Sequence, residues 1–276
     1  AELTVQREST SDQVRRQADC LSPWVHGVQV TDNPYAWVQM SSLSLAAILL
    51  EHGVDPVPIM TCRDRNRLAL RGDLLGMKTL GVSSLMLMRG HRVPENHTVP
   101  AATVFDLTGR ELIDLAASLG GNPARCDTDV FFIGTGARVF RPNRGGWAES
   151  RTARMSAGAR FMQTQLCFNL EMLRYWMRRL VATGVTEQCA VMISVSPLPS
   201  AQTARWVKEN MGDSRIPPAV IERLDSARDP QQEGITLCAE MMQEISEIPG
   251  VAGVSLLTTG NPEAIPEAIS RSGLKD

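Results

Sequence analysis

The sequence predicts a single α/β domain in which eight parallel strands close into a barrel. Short, β-branched apolar runs alternate with longer segments of helical periodicity, which is typical of βα units that build a parallel sheet. The chain has 276 residues, 43% of them hydrophobic, and this suits one large core. Eight candidate strands favour closure, although their spacing is also compatible with an open, doubly wound sheet.

The candidate strands share a high content of Val, Ile, Leu and Met. They run from Glu2 to Gln6, Gly27 to Thr31, Val57 to Thr61, Ser84 to Met88, Asp129 to Gly134, Phe161 to Gln165, Ala190 to Val195 and Gly253 to Leu257. No GxGxxG or P-loop stretch follows any of them, which removes the main positive evidence for an open nucleotide-binding sheet.

Helical periodicity fills most of the intervals between the strands. Helices are predicted from Ser41 to His52, Leu68 to Leu80, Arg110 to Leu119, Leu170 to Thr183, Ala201 to Met211 and Gly234 to Ile245, with a short extra helix within Pro217 to Asp229. Glycines follow four of these segments, where a left-handed residue ends a helix: Gly53, Gly81, Gly120 and Gly184.

Charge and cysteine usage exclude several classes of partner. A net charge of −2 and a pI near 6.2 argue against binding to nucleic acid or to an anionic membrane. The six cysteines form no CxxC pair, so neither a zinc site nor a small disulfide framework is indicated. Because export and membrane-spanning signals are also missing, a cytoplasmic protein is expected.

Polar residues lie at the ends of several of the candidate strands. They are Glu2; Thr31, Asp32 and Asn33; Thr61, Arg63 and Asp64; Arg89, Gly90 and His91; Thr164 and Gln165; and Thr258 and Thr259. A barrel gathers such side chains at one mouth. One carboxylate, one amide and one imidazole suit hydrogen bonding to a flat heterocycle with a single proton transfer, rather than metal chelation or a nucleophilic triad.

Each of these residues also has a purely structural interpretation. Glu2 could be a frayed, solvated carboxylate, and the residues from Asp32 to Pro34 could form only a turn. The charges from Arg63 to Arg65 could be solvated, with Asp64 as a helix N-cap. His91 could be an ordinary loop histidine. Gln165 is harder to dismiss, because a buried amide needs hydrogen-bond partners.

Four segments together resemble the methylenetetrahydrofolate reductase family, over almost the whole chain. They are Val30-Thr-Asp-Asn-Pro34, Thr61-Cys-Arg-Asp-Arg-Asn66 with the following Leu74-Leu75-Gly76, Met88-Arg-Gly90, and Gly158 to Gln165. The resemblance implies a (β/α)8 TIM barrel with FAD at its mouth. It also implies a hydride passed from NAD(P)H through the flavin to 5,10-methylenetetrahydrofolate, which gives 5-methyltetrahydrofolate.

The resemblance also assigns roles to individual residues. Glu2 matches the family's catalytic glutamate, which supplies a proton as the methylene bridge opens. Gln165 matches the glutamine that binds the pterin. Four further positions match residues that line the flavin, and Arg154 stands where relatives often have a phosphate-facing lysine. The four are Thr31, Thr61, Arg89 and Gly90.

The chain departs from the family pattern at several places. His91 replaces a carboxylate, and a cation there would raise the reduction potential of the flavin; we assign it a tuning or substrate-contacting role in catalysis. Ile59 replaces a histidine, Ile133-Gly-Thr-Gly-Ala137 replaces a segment with a flavin-contacting tyrosine, and Ala201 replaces a stacking aromatic.

These patterns predict a cytoplasmic, folate-dependent oxidoreductase with tetrahydrofolate derivatives as substrates. Two alternatives remain: a methyltransferase that takes the methyl group of methyltetrahydrofolate, and a non-catalytic folate-binding subunit. The chain could form a homo-oligomer or bind a partner subunit. The direction of the reaction depends on concentrations and on the electron acceptor.

Overall fold

The structure is a computed structural model that describes residues 1–94, 101–119, 131–140, 153–211, 214–258 and 260–274. Several residues named in the predictions lie outside the described residues: Gly120, Cys126, the first two residues of the strand predicted from Asp129, and Thr259. No helix among the described residues is long and apolar enough to cross a membrane.

Within the described ranges, seven parallel strands form one sheet, and each strand pairs with the next one in the sequence. They are β1 (Val28–Val30), β2 (Pro56–Thr61), β3 (Ser84–Met88), β4 (Phe132–Ala137), β5 (Phe161–Leu166), β6 (Ala190–Val195) and β7 (Gly253–Leu256). Helices alternate with these strands, so the architecture is that of a TIM barrel, as predicted.

The first three residues join the two edges of this sheet. The backbone N–H of Glu2 donates to the carbonyl of Leu256 at the end of β7 (2.9 Å). On the other side, the N–H of Leu3 donates to Gln29 O (2.9 Å), and the N–H of Gln29 donates to Ala1 O (2.6 Å). Residues 1–3 therefore occupy the place of an eighth strand between β7 and β1.

The predicted first strand is wrong beyond these residues, because pairing is limited to a bridge between Glu2 and Gln29. At Thr4 the side chain of Gln17 takes the place of a neighbouring strand. Its amide accepts from Thr4 N (3.1 Å) and donates to Thr4 O (2.9 Å). With both groups bound by a side chain, Thr4 does not continue the ladder.

The helices cover the outside of the sheet. They span Ser11–Leu21, Ser42–Glu51, Arg67–Leu80, Gly109–Ala117, Leu170–Ala182, Val185–Gln188, Ala201–Asn210, Pro218–Ser226, Pro230–Ser246 and Ala264–Ser272, with a 3-10 turn at Pro34–Ala36 and a helical stretch at 153–156. All seven predicted helices are present, and the largest shift is the start at Pro230 instead of Gly234. Ser11–Leu21, Val185–Gln188 and Ala264–Ser272 were not predicted.

The inside of the barrel is packed with its own apolar cluster. Ile59, Met86 and Phe161 form its centre, and the Phe161 ring stacks on Phe132 with the centroids 5.2 Å apart. A Cβ added to Gly134 would lie 2.1 Å from the Phe161 ring, so glycine is required there. The strand predicted to end at Gly134 instead continues to Ala137. Because side chains fill the barrel at this level, a site is expected at its mouth.

Candidate active site

Glu2 places a carboxyl group at the mouth of the barrel. It is the register partner of Gln29 in a parallel bridge, so both side chains lie on the interior face of the sheet. Glu2 is partly buried, and its carboxylate accepts no hydrogen bond from any described residue. Desolvation raises the pKa of Glu2 to about 7, against the opposing effect of the Ala1 amino group. Because the backbone around Glu2 is hydrogen-bonded on both sides, the interpretation as a frayed residue is wrong.

A group of exposed aromatic rings lies at the rim beside Glu2. Tyr35 contacts Trp37 and Trp206 edge-on, with centroid distances of 6.4 Å in both pairs. Burial, and then the charge of Glu2, raise the pKa of Tyr35 to about 12. Sequence reasoning missed this group. Ala201, at the expected aromatic position, is buried, whereas Trp206 on the same helix is exposed.

The loop that carries Tyr35 has an unusual backbone. Asn33, Tyr35 and Ala36 all have positive φ angles, of 47°, 55° and 65°. Such angles are costly for residues with a Cβ and concentrate at functional sites. The Asp32-Asn33-Pro34 turn thus leads into a strained loop that carries Tyr35.

A buried polar network connects the ends of β1 and β2. Asp32 accepts from Thr61 N (2.8 Å), from Thr61 Oγ1 (2.9 Å) and from Arg65. Arg65 also pairs with Asp73 (2.9 Å). Desolvation raises the pKa of Asp32, although Arg65 and the hydrogen bonds from Thr61 oppose this shift. The network fixes the two strand ends relative to each other.

Arg63 and Asp64 form the second part of this network. Arg63 is only 3% exposed and donates to both carboxylate oxygens of Asp64 (2.6 and 2.7 Å) and to Asn33 O (2.8 Å). The interpretation as a solvated charge is therefore wrong for Arg63, whereas Asp64 is exposed. Asp64 is also not the helix N-cap, because Asn66 Oδ1 accepts from Ala69 N (3.0 Å) in that role.

The amide of Gln165 is already bound within the protein. Its Oε1 accepts from Val139 N (2.9 Å) and its Nε2 donates to Val139 O (3.3 Å). Two residues earlier on the same face of β5, Gln163 pairs its amide with that of Gln29. Glu2, Gln29 and β5 thus meet at one end of the barrel. Gln163 was missed, although its spacing from Gln165 could have indicated it.

The residues expected to line a flavin lie along the ends of β1 to β3. Thr31 accepts two hydrogen bonds from the Gln39 amide, to its carbonyl and its hydroxyl (2.8 Å each). Gly90 has a φ of 81°, and a Cβ there would lie 3.1 Å from the Cβ of Thr61. A side chain at position 90 would crowd this contact, so the bend brings the backbone against Thr61.

The cationic residues near this wall have different surroundings. Arg89 is exposed and lies over the Phe105 ring, 4.1 Å from its centroid. His91 is exposed and makes no hydrogen bond with any described residue. Its position leaves the imidazole available to a ligand or to solvent.

Arg154 is a half-buried cation that donates to Gly136 O (2.7 Å) at the end of β4. Among the described residues no carboxylate pairs with it, and desolvation, followed by repulsion from Arg138, lowers its pKa. A desolvated cation without an acidic partner in the described part of the chain suits a phosphate group. This residue and the tight Gly90 bend therefore fit a diphosphate-bearing flavin.

A family model described as methylenetetrahydrofolate reductase matches residues 6–273. The chain belongs to this family. It is 23% identical over 243 residues to a "Probable methylenetetrahydrofolate reductase (NADPH)" of Caenorhabditis elegans, covering 85% of this chain and 35% of that protein. The chain thus spans about a third of the length of this relative.

Two solved structures show the same fold as this reductase-family chain. One is an uncharacterized protein from Clostridium thermocellum that binds two copies of 5-methyl-5,6,7,8-tetrahydrofolic acid, with a TM-score of 0.62, 11% identity, and 98% and 92% of the two chains covered. The other is the long-chain alkane monooxygenase LadA, with a TM-score of 0.54, 10% identity, and 95% and 82% covered. At these identities the likeness concerns the fold alone.

Proposed function

We propose that this chain is a folate-dependent oxidoreductase that interconverts 5,10-methylenetetrahydrofolate and 5-methyltetrahydrofolate. The observation that carries the proposal is Glu2, a carboxyl group with a pKa of about 7 at the mouth of a barrel of this family. The bound 5-methyltetrahydrofolate in the Clostridium thermocellum protein of the same fold supports the choice of substrate.

Glu2 serves as the acid and base of the reaction. With a pKa of about 7, both its protonated and its ionised form are populated near neutral pH. The protonated form gives its proton to the folate nitrogen that leaves the bridging carbon, and the resulting iminium carbon accepts a hydride. In the reverse direction the ionised form takes the proton back as the bridge closes. A desolvated carboxyl suits both directions.

Thr31, Thr61, Arg89, Gly90 and Arg154 would hold the flavin of FAD. A bound flavin accepts a hydride from NAD(P)H and delivers it to the folate, or the reverse. Arg154 would neutralise a phosphate, and the Gly90 bend lets the backbone approach a ring closely.

Two further residues complete the proposed site. Gln165 stays the proposed pterin contact, and it would have to exchange its two bonds with Val139 for bonds to the substrate. His91, exposed at the end of β3, would act as the tuning or substrate-contacting residue in place of the family's carboxylate.

The two half-reactions test the role of Glu2 separately. In Glu2→Gln we expect folate reduction to fall by about 10²–10⁴-fold, while reduction of the bound flavin by nicotinamide stays within about twofold of wild type. Glu8→Gln removes an exposed carboxylate from the same segment and is the matched control. Equal loss of both half-reactions would remove Glu2 from proton transfer.

The same preparation separates the alternative functions. A purified protein without flavin absorbance that transfers the methyl group of methyltetrahydrofolate to a corrinoid acceptor would be a methyltransferase. Folate binding without turnover, even with an artificial electron acceptor, would indicate a non-catalytic subunit. Turnover with flavin absorbance supports the oxidoreductase.

A further inference from the structure

Two glutamine side chains form a closed amide pair across the inside of the barrel. Gln29 Nε2 donates to Gln163 Oε1 (3.0 Å), and Gln163 Nε2 donates to Gln29 Oε1 (3.1 Å). Gln29 lies on β1 and Gln163 on β5, which are not neighbours in the sheet. Each amide presents an N–H beside a C=O, and the other amide supplies the complementary pattern.

The pair differs from the nearby contact between Gln165 and Val139. Val139 is fully buried, so removing Gln165 would leave a buried backbone N–H and C=O without partners. Gln29 and Gln163 satisfy only each other. Gln163 is partly exposed at the mouth, whereas Gln29 is 5% exposed. Gln163 is therefore the amide that can change partners at the lower cost.

We propose that Gln163 recognises, or reads, the ligand: it breaks its two hydrogen bonds to Gln29 and makes the same two hydrogen bonds to the lactam edge of a flat ring. A lactam edge is a ring N–H beside a ring C=O, and it offers the pattern that the Gln29 amide offers in the closed pair. Both the pterin of a folate and the ring system of a flavin carry one. The inference rests on the proposed function for the identity of the ring.

The position of Gln29 connects this exchange to catalysis. Glu2 is the register partner of Gln29, and both side chains lie on the interior face. A ring held by Gln163 would therefore lie on the side of the barrel that faces Glu2. The Glu2 carboxylate, which accepts no hydrogen bond from the described residues, is a polar neighbour of Gln29. It could accept a hydrogen bond from the released Gln29 amide, and this lowers the free-energy cost of opening the pair.

The proposal predicts opposite effects for the two members of the pair. Gln163→Leu removes the reading amide, so we expect ligand affinity to fall by about tenfold. Gln29→Leu removes the competing partner and leaves the Gln163 amide free. Because apparent affinity rises with the fraction of protein in the competent state, we expect binding in this variant to tighten by about threefold or more.

Calorimetric titration of wild type and both variants tests the inference, with 5-methyltetrahydrofolate and FAD as separate ligands. Opposite shifts for one of the two ligands support it and identify the ring that is read. Shifts in the same direction, or no shift for either ligand, overturn it. The midpoint of thermal unfolding shows whether each variant folds, and Gln163→Asn, which keeps the amide but shortens it, replaces Gln163→Leu if that variant fails to fold.

The experiment also separates this inference from the proposed function. Wild-type turnover of 5-methyltetrahydrofolate without opposite shifts would retain the oxidoreductase and reject the reading role of Gln163. Opposite shifts with FAD in a protein that neither binds nor turns over folate would retain the reading role and reject the folate reaction. Binding of neither ligand by wild type would overturn both.

Discussion

Replacing Glu2 by Gln should change how the stability of the protein depends on pH. The pKa of Glu2 in the folded protein is about 7, compared with 4.5 for an ordinary glutamate. Between these values the folded state holds a proton that the unfolded state has released. Stability therefore falls as pH rises from about 4.5 to about 7, and this contribution is fully present only below the lower value.

The size of this loss follows from the pKa difference. One pH unit corresponds to about 1.4 kcal/mol, so the full interval gives an upper limit of about 3 kcal/mol. Solvent reaches the partly exposed carboxyl and reduces the effect. The amide introduced by Glu2→Gln carries no titratable proton, so the variant lacks this contribution. Between pH 4.5 and pH 8, the free energy of unfolding of Glu2→Gln should therefore rise by up to about 3 kcal/mol relative to that of wild type.

Urea denaturation at several pH values between 4.5 and 8 measures this difference. The free energy of unfolding of wild type minus that of Glu2→Gln should become more negative as pH rises and then level off above about pH 8. Glu8→Gln, at an exposed site of the same segment, should follow wild type. A constant difference between wild type and Glu2→Gln at all pH values would refute the desolvation of Glu2.

Two further substitutions test the packing and the polar network. Gly134→Ala should destabilise the protein by about 1–3 kcal/mol, because the new Cβ would meet the Phe161 ring. Gly72→Ala is the control: this exposed helical position has no atom within 4 Å of the new Cβ, so the substitution should stabilise the protein by about 0.5–1 kcal/mol. Thermal unfolding of the two variants measures the difference. Arg63→Met should cost about 1–3 kcal/mol in urea denaturation, since it removes the buried guanidinium from the partly exposed Asp64 and from Asn33 O, and a loss below about 0.5 kcal/mol would contradict the role of this pair.

The strands and most of the helices could be predicted because their signals are local. Apolar β-branched runs and helical periodicity do not depend on the rest of the chain. The helix Ser11–Leu21 also has a local signal, since Thr10 and Gln13 form a capping box. The helix Ala264–Ser272 was hidden by Pro266, which is tolerated there because it lies in the first turn.

The details of the site depend on contacts between distant residues. Gln29 and Gln163 are 134 positions apart, and no local pattern shows that their amides meet. Asp64 and Asn66 are both suitable N-caps by residue type, and the buried Arg63 decides the choice by binding Asp64. The burial of Glu2 likewise depends on the distant Leu256, whose carbonyl holds the backbone of Glu2 in the strand barrel.

Residues 1–3 close the barrel between β7 and β1, and this affects the order of folding. Glu2 is held between β1 and the carbonyl of Leu256, so this proposed proton donor reaches its place at the mouth only after β7 has joined the sheet. Contacts between such distant parts of a chain form slowly, because the intervening polypeptide must first lose much of its conformational freedom. During synthesis, a ribosome-bound chain that lacks β7 would therefore not yet hold the Glu2 carboxyl in place, and the proposed reaction could not begin.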